Sequence, residues 1–276
     1  MNRTLIGSNF DKHSGSHFLP PFPHQNHLLA ALPVEIFEHL HNSLELVSMQ
    51  LGEIIYESGC PMRFVYFPIT SIISLLYVLA DGDSTEIAVV GNEGLVGVQI
   101  FMGGMSMPNR AIVQNGGYAY RLNRDLFMRE FERSGGRRNG ALHHLLLRYT
   151  QALLTQTAQM SVCYRHHSVS QQMCRWLLSR LDRSPTNELV VTQELIGGML
   201  GVRREAVTEA AGQLRNAGVI KHTRGHITVL DRPQLEAMAC ECYGVLKTEF
   251  DRLLPDLLAS EGNSFDLAKL DTRVLK

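Results

Sequence analysis

Two arginines and a glutamate stand together at the start of one predicted helix. They are Arg203, Arg204 and Glu205. A guanidinium can donate two parallel hydrogen bonds to guanine, and a carboxylate can accept one from the N4 amino group of cytosine. Taken alone, such a group is usually a solvated helix surface. The elements that position it therefore decide whether it can read a nucleic acid.

Local signals predict a helix, a tight turn and a second helix around these residues. Thr192 is a suitable N-cap for a first helix, and Gly201 can take the left-handed conformation that ends it. The second helix is predicted from about residue 203 to 216, with Ala206 as the small residue where the two helices cross. Its inner stripe consists of Ala206, Val207, Ala210, Ala211 and Leu214. This is the pattern of a helix-turn-helix, whose second helix enters the major groove of DNA.

The residues after this helix predict a wing. Positions 219–230 alternate between apolar and polar residues around Arg224-Gly225, as expected for two short strands and a turn. Residues 162–232 also hold ten Lys and Arg against six Asp and Glu, although the whole chain has a net charge of −1. This basic region would attract phosphate groups. The predicted DNA contacts are Thr192, Arg203, Arg204, Glu205, Thr208, Glu209 and Arg224.

The front of the chain has a different pattern. Residues 26–40 predict two short helices interrupted near Pro33. Short apolar runs separated by turn residues then predict strands at 53–56, 64–67, 71–79, 86–90, 111–114 and 119–122. The sequence Asp81-Gly82-Asp83 predicts a hairpin turn. Many short strands at regular spacing indicate a β-sandwich or a barrel.

A long amphipathic helix is predicted between the two regions. Apolar residues step by four and three from residue 142 to residue 163, which is the spacing of a two-helix coiled-coil seam. The same stripe could instead pack on the chain's own β-domain, and periodicity does not separate the two. The predicted dimer interface consists of Leu142, Leu146, Tyr149, Leu153, Gln156 and Met160. Another helix is predicted at 169–181.

Composition restricts the class of protein. A length of 276 residues favours two domains, and 45% hydrophobic with 19% charged residues is ordinary for a globular protein. No apolar run reaches the length of a membrane span, which predicts no membrane contact. Five cysteines without a disulfide pattern fit the reducing cytoplasm.

No catalytic residue, cofactor or metal site is predicted. Walker, nucleophile-elbow and His-Glu-x-x-His motifs do not occur, so the sequence does not support an enzyme. Cys240 and Cys242 are expected two apart on one helix, where they would face opposite sides and pack. The adjacent His166 and His167 also lack the helical i, i+4 spacing of a metal site.

Residues 191–230 resemble the DNA-binding domain of the Crp/Fnr family of bacterial regulators. Arg204-Glu205-Ala206-Val207 matches the family's Arg-Glu-x-Val pattern, so the resemblance implies that Arg204 and Glu205 read bases. Members of the activator type often carry a further Arg where this chain has Glu209, which implies a different recognised sequence. Residues 51–59 resemble the opening strands of the family's cyclic-nucleotide-binding jelly roll. The helix at 142–163 occupies the position of the family's dimer helix.

The chain departs from the family's phosphate-binding cassette. The resemblance places Val98, after Gly97, where cyclic AMP-binding members have a ribose-binding Glu. It places Asn109 where those members have a phosphate-binding Arg, and Arg110 where they have the Ser that follows it. An Arg displaced by one residue at a strand start points to the other face, because side chains alternate. We therefore expect that cyclic AMP does not bind. The alternative is that the alignment is shifted by one residue, which would return Arg110 to the pocket.

These observations predict an α+β chain that regulates transcription. Residues 1–25 form a disordered tail, 26–138 a jelly-roll sensor domain, 139–165 a dimerisation helix, 166–232 a winged helix-turn-helix domain and 233–276 a helical extension with a tail. A homodimer would bind an inverted repeat in double-stranded DNA and contact RNA polymerase, with an unidentified effector. The alternatives are a regulator that binds a cyclic nucleotide or another small effector in its β-domain, and a dimeric scaffold that does not read DNA.

Overall fold

The computed structural model describes residues 21–133, 140–184 and 186–255. A 3-10 helix, Pro23–Gln25, precedes α1 (His27–Ala30) and α2 (Val34–His41), so the two short helices predicted there are confirmed. Asn26 caps α1 by accepting a hydrogen bond from the backbone of Leu29, and its amide donates to two distant carbonyls. Residues 1–20 of the predicted N-terminal tail lie outside the described residues.

Seven strands form two antiparallel sheets, which confirms the predicted β-sandwich. The strands are β1 (Glu45–Met49), β2 (Ile54–Tyr56), β3 (Phe64–Pro68), β4 (Ile72–Val78), β5 (Ser84–Val90), β6 (Arg110–Asn115) and β7 (Gly117–Asn123). One sheet has the order β1-β7-β3 and the other β2-β6-β4-β5. The short helix α3 (Val98–Phe101) lies between β5 and β6. The predicted hairpin turn is present, with Gly82 at φ +93°.

Helices and a small sheet follow the sandwich. They are α4 (Arg124–Arg133), α5 (Gly140–His166), α6 (Val169–Leu181), β8 (Glu188–Val190), α7 (Gln193–Leu200), α8 (Arg204–Asn216), β9 (Ile220–Thr223), β10 (His226–Val229), α9 (Arg232–Met238) and α10 (Cys242–Leu253). The small sheet has the order β8-β10-β9. In the described part of the chain, the helices are too short or too polar to cross a bilayer.

Sequence reasoning missed two strands. β1 carries mostly exposed side chains at the edge of its sheet, so it lacks the apolar run that marks its neighbours. β8 has only three residues and is defined by its pairing with β10, in which Leu189 lies opposite Ile227. Both strands exist because of long-range hydrogen bonds, which a local pattern does not contain.

The long helix α5 packs with its predicted seam turned inward. All six residues predicted at the dimer interface are buried in a single chain, against the sandwich and α10. Gln156 accepts a hydrogen bond from the backbone of Val89 in β5, at 3.3 Å, and Tyr149 donates one to the carbonyl of Leu95, at 2.8 Å. The prediction that these six residues face a second chain is therefore wrong. The alternative, packing on the chain's own β-domain, is what the structure shows.

The two late cysteines do not lie on one helix as expected. Cys240 belongs to the connection between α9 and α10, and Cys242 is the first residue of α10. The argument that they must face opposite sides of a helix therefore does not apply. Both side chains point inward and are buried together with Cys163.

Candidate nucleic-acid interface

The structure confirms the predicted helix, turn and helix at 192–216. Thr192 caps α7 by accepting a hydrogen bond from the backbone of Leu195, at 3.2 Å, and Gly201 ends the helix at φ +66°. The tight packing of α7 against the turn before α8 depends on Gly197. A Cβ atom at Gly197 would lie 2.9 Å from the carbonyl oxygen of Val202, which no side chain tolerates there. Ala206 is only half-buried.

One face of α8 is held by the domain core. Val207 and Leu214 are fully buried, and Ala210 and Ala211 are nearly so. These four residues repeat at helical spacing and pack with α6 and α7. Because this face is fixed, the orientation of the opposite face is fixed too.

The exposed N-terminal end of α8 carries the predicted readers. Arg203, Arg204 and Glu205 are exposed at the N-terminal end of the helix. Within the described residues, their side chains make no intramolecular hydrogen bond or ion pair, as is also true of Glu209. Ionised groups that are exposed and uncommitted at the end of a helix are available to base edges and phosphates.

The two predicted threonine contacts have different settings. Thr208 is exposed and lies one turn after Arg204. Its hydroxyl oxygen lies 2.9 Å from Gln193 Oε1, to which it can donate a hydrogen bond. Thr192 is exposed, but its hydroxyl oxygen serves as the helix cap. Contact of either residue with DNA stays a prediction.

The predicted wing is present as the hairpin of β9 and β10. Thr223 pairs with His226, and Arg224 and Gly225 form the turn, with Gly225 at φ +79°. The Arg224 side chain is exposed at the tip of this hairpin. α8 and the wing each present exposed cations, which suits a partner that carries phosphates along its length.

The four predicted effector-pocket positions do not form an anion site in the described structure. Gly97 at φ +124° starts α3, and Val98 is buried. Asn109 is also buried, and neither polar atom of its amide makes a hydrogen bond of good geometry within the described residues. Arg110 donates a hydrogen bond from Nε to Glu57 Oε2, at 2.8 Å, so its charge is already paired. Burial raises the pKa of nearby Tyr56 to about 12.

A buried ion pair joins the sandwich to the DNA-binding region. Glu86 of β5 accepts hydrogen bonds from Arg180 of α6 and from Ser74 of β4, and both charged side chains are at most 3% exposed. Burial lowers the pKa of Arg180, while the attraction of Glu86 opposes this effect. The guanidinium also lies 3.8 Å from the ring centroid of Trp176. Sequence reasoning missed this pair, although a Glu directly before the apolar run at 87–90 was a usable signal.

Further contacts extend the same junction. Tyr164 donates a hydrogen bond to the carbonyl of Glu86, at 2.7 Å, and Ser84 donates to the carbonyl of Gly198 in α7, at 3.3 Å. Leu76 of β4 is buried in the same hydrophobic cluster as α6, α7 and α8. The helix-turn-helix is therefore packed directly on the edge of the sandwich.

Each half of the chain matches a known protein domain. Residues 46–134 match the cyclic nucleotide-binding domain, and residues 171–238 match the Crp-like helix-turn-helix domain, so that together the matches cover more than half of the sequence. No curated protein gives a significant sequence match.

Solved structures share the fold at low sequence identity. FixK2 from Bradyrhizobium japonicum is 18% identical, with a TM-score of 0.59, over 71% of this chain and 98% of that chain. A CRP/FNR-family transcriptional regulator from Thermus thermophilus is 20% identical, with a TM-score of 0.56, over 71% and 98%. The c-di-GMP-responsive global regulator CLP from Xanthomonas campestris is 12% identical, with a TM-score of 0.58, over 72% and 100%. With its two matched domains in the order of this fold, the chain belongs to the Crp/Fnr family of DNA-binding transcription regulators.

Proposed function

We propose that the protein acts as a homodimer that binds an inverted repeat, with one α8 helix in the major groove of each half-site. The observation that carries this proposal is the uncommitted row of Arg203, Arg204 and Glu205 at the exposed end of a rigidly packed helix. In a two-fold dimer, two such helices reach successive major grooves about 34 Å apart. Thr208, Glu209, Thr192 and Arg224 would complete the contact surface.

The dimer would form along the outer face of α5 rather than its buried seam. Leu147 is 49% exposed, Leu154 62% and Val162 49%, and Gln151 and Ala158 are exposed between them. These positions step by four, three, four and four residues, so they share one side of the helix. Large apolar side chains gathered on one exposed helix face favour a second copy of the same helix as their partner.

Arg204→Ala should weaken binding to the selected operator by about 1–3 kcal/mol, roughly 5- to 150-fold in Kd, because the variant cannot make a bidentate hydrogen bond to guanine. Preference at one position in each half-site should relax. The operator is first selected from a random pool of duplexes, and Kd is then measured on specific and scrambled duplexes. Arg215→Ala is the matched control, because Arg215 is exposed at the far end of α8.

A substitution in the wing distinguishes phosphate contact from base reading. Arg224→Ala should weaken all sequences alike and reduce the slope of log K against log salt by about 0.9 for each phosphate that the wing no longer neutralises. Equal weakening of specific and scrambled duplexes by Arg204→Ala would contradict its assignment as a base reader.

Cyclic AMP and cyclic GMP should not bind, because position 98 offers no carboxylate, position 109 no guanidinium, and Arg110 is paired with Glu57. Titration calorimetry on protein that has been shown to bind its operator should give no saturable heat with either nucleotide. A micromolar dissociation constant would overturn the placement of the cassette.

A second candidate is a regulator that responds to another small molecule. A cavity of about 380 Å³ lies between β5, α5, α6 and α10, and Gln156, Arg175 and Lys247 are among its lining residues. Its size is within the range of small-molecule sites. Saturable heat with an anionic metabolite, abolished by Lys247→Glu, would favour this candidate.

The protein would act at promoters in the cytoplasm. A regulator bound beside a promoter would contact RNA polymerase, and a protein that binds bacterial DNA would act in the cytoplasm. The uncommitted reading residues on α8 favour this function over a scaffold that only dimerises.

A further inference from the structure

Three cysteines and one histidine meet where α5 ends and α10 begins. Cys163 lies in the last turn of α5 and His167 directly follows that helix, while Cys240 lies in the connection between α9 and α10 and Cys242 is the first residue of α10. The four potential ligand atoms, three sulfurs and one ring nitrogen, all lie within 4.8 Å of one another. The three cysteines are buried, and His167 is largely so. The sequence separations hide this group, because Cys163 and Cys240 are 77 positions apart.

The spacing of these atoms suits one tetrahedral ion. Zinc binds thiolate sulfur at about 2.3 Å and imidazole nitrogen at about 2.0–2.1 Å, so tetrahedral angles put two sulfurs about 3.8 Å apart and sulfur and nitrogen about 3.6 Å apart. Here Cys163 Sγ lies 3.6 Å from Cys240 Sγ, and Cys242 Sγ lies 3.4 Å from His167 Nδ1. Small shifts would complete the coordination.

Neighbouring groups orient the ligands as they do in metal sites. His167 Nε2 lies 3.2 Å from the Glu241 carboxylate and can donate its hydrogen there, which leaves the Nδ1 lone pair directed at the cysteines. A carboxylate that fixes the tautomer of a ligating histidine is a recurrent feature of zinc sites. Gln159 donates a hydrogen bond to Cys242 Sγ, at 3.0 Å, and Gln172 donates one to the carbonyl of His167, at 2.8 Å.

A buried cation beside the group supplies an independent observation. The guanidinium of Arg175 lies 5.7 Å from the ring centroid of Tyr164, the residue after Cys163. Arg175 is 2% exposed, and two of its nitrogens have no hydrogen-bond partner in the described part of the chain. Three thiolates and a neutral imidazole around a divalent ion carry a net charge of −1. Such a centre would neutralise Arg175, whereas three neutral thiols would not.

We propose that Cys163, His167, Cys240 and Cys242 bind one Zn²⁺ ion as a structural Cys3His site. Four protein ligands leave no open position for a substrate, which is the arrangement of structural rather than catalytic zinc. The ion would join the end of α5 to the start of α10. The four ligand atoms are close enough to share a single ion, whereas an iron–sulfur cluster places its cysteine ligands on different irons, farther apart.

Metal content of the full-length protein tests the site. Protein purified from zinc-supplemented cells should contain about one zinc ion per chain by mass spectrometry. Cys242→Ser and Cys163→Ser should reduce this content at least about tenfold, as expected when a ligand is removed. Cys174→Ser and Cys60→Ser are the controls, because one cysteine is buried and the other exposed, both outside the group. They should retain the ion.

Cobalt titration keeps the proposal open to refutation if a serine variant does not fold. Wild-type protein stripped with a chelator should take up one Co²⁺ with the intense visible absorption of tetrahedral thiolate coordination, and Zn²⁺ should displace it. Zinc-free wild-type protein that also fails to take up Co²⁺ would overturn the proposal. So would a Cys163–Cys240 disulfide in protein purified without reductant, or zinc retained in folded Cys163→Ser and Cys242→Ser variants.

Discussion

Replacing Glu86 by alanine should lower the free energy of unfolding by about 3–5 kcal/mol, because it leaves the charge of Arg180 buried without its partner. Arg180 is 3% exposed, and its other hydrogen-bonding neighbours, Ser74, Ser179 and the carbonyl of Trp176, are neutral. Urea denaturation at fixed protein concentration measures the change, since an associating protein has a concentration-dependent stability.

Two controls isolate the buried pair. Glu249→Ala removes a partner of Arg252 at 2.7 Å on the surface and should cost less than about 1 kcal/mol. Glu86→Leu combined with Arg180→Met should recover most of the lost stability, since an apolar replacement removes both charges. A loss below about 1 kcal/mol for Glu86→Ala would contradict the assigned role of the pair.

Leu154→Glu should dissociate the proposed dimer while leaving the fold of each chain intact. Leu154 is 62% exposed in the single chain, so a carboxylate is tolerated there. In the dimer the same carboxylate would be buried against its symmetry mate, which should weaken association by more than about 3 kcal/mol, over roughly 100-fold. Light scattering should report the mass of one chain instead of two, and operator affinity should fall with it.

The adjacent residue provides a matched comparison. Leu153 is buried in the chain's own core, so Leu153→Glu should lower the stability of the chain itself. Dissociation into chains that keep their folded structure, as judged by circular dichroism, is therefore expected only for Leu154→Glu. A Leu154→Glu protein that keeps the mass of a dimer would exclude this face of α5 as the interface.

The sequence was sufficient where structure depends on local signals. Thr192, Gly201 and Gly225 each determine a cap or a turn within a few residues, so the positions of α7, α8 and the wing could be predicted. The sandwich was also predictable from its alternating strands, although the partners of each strand were not.

Long-range packing explains what could not be predicted. α5 has two stripes with similar spacing, and periodicity cannot tell which one the chain's own core covers. The structure buries the stripe that includes Leu146 and leaves Leu147 and Leu154 outside. The pair Glu86 and Arg180 joins residues 94 positions apart, which local patterns do not reveal.

The shared core of the two halves has a thermodynamic consequence. Leu76 of the sandwich is buried among the side chains of the helix-turn-helix, and Ile112 packs against the same cluster. Melting either half alone would expose apolar surface of the other to water, which raises the free energy of every partly unfolded state. The folded chain should therefore lose both halves in one cooperative transition, and the DNA-binding half cut from the sandwich should be less stable than it is in the intact chain.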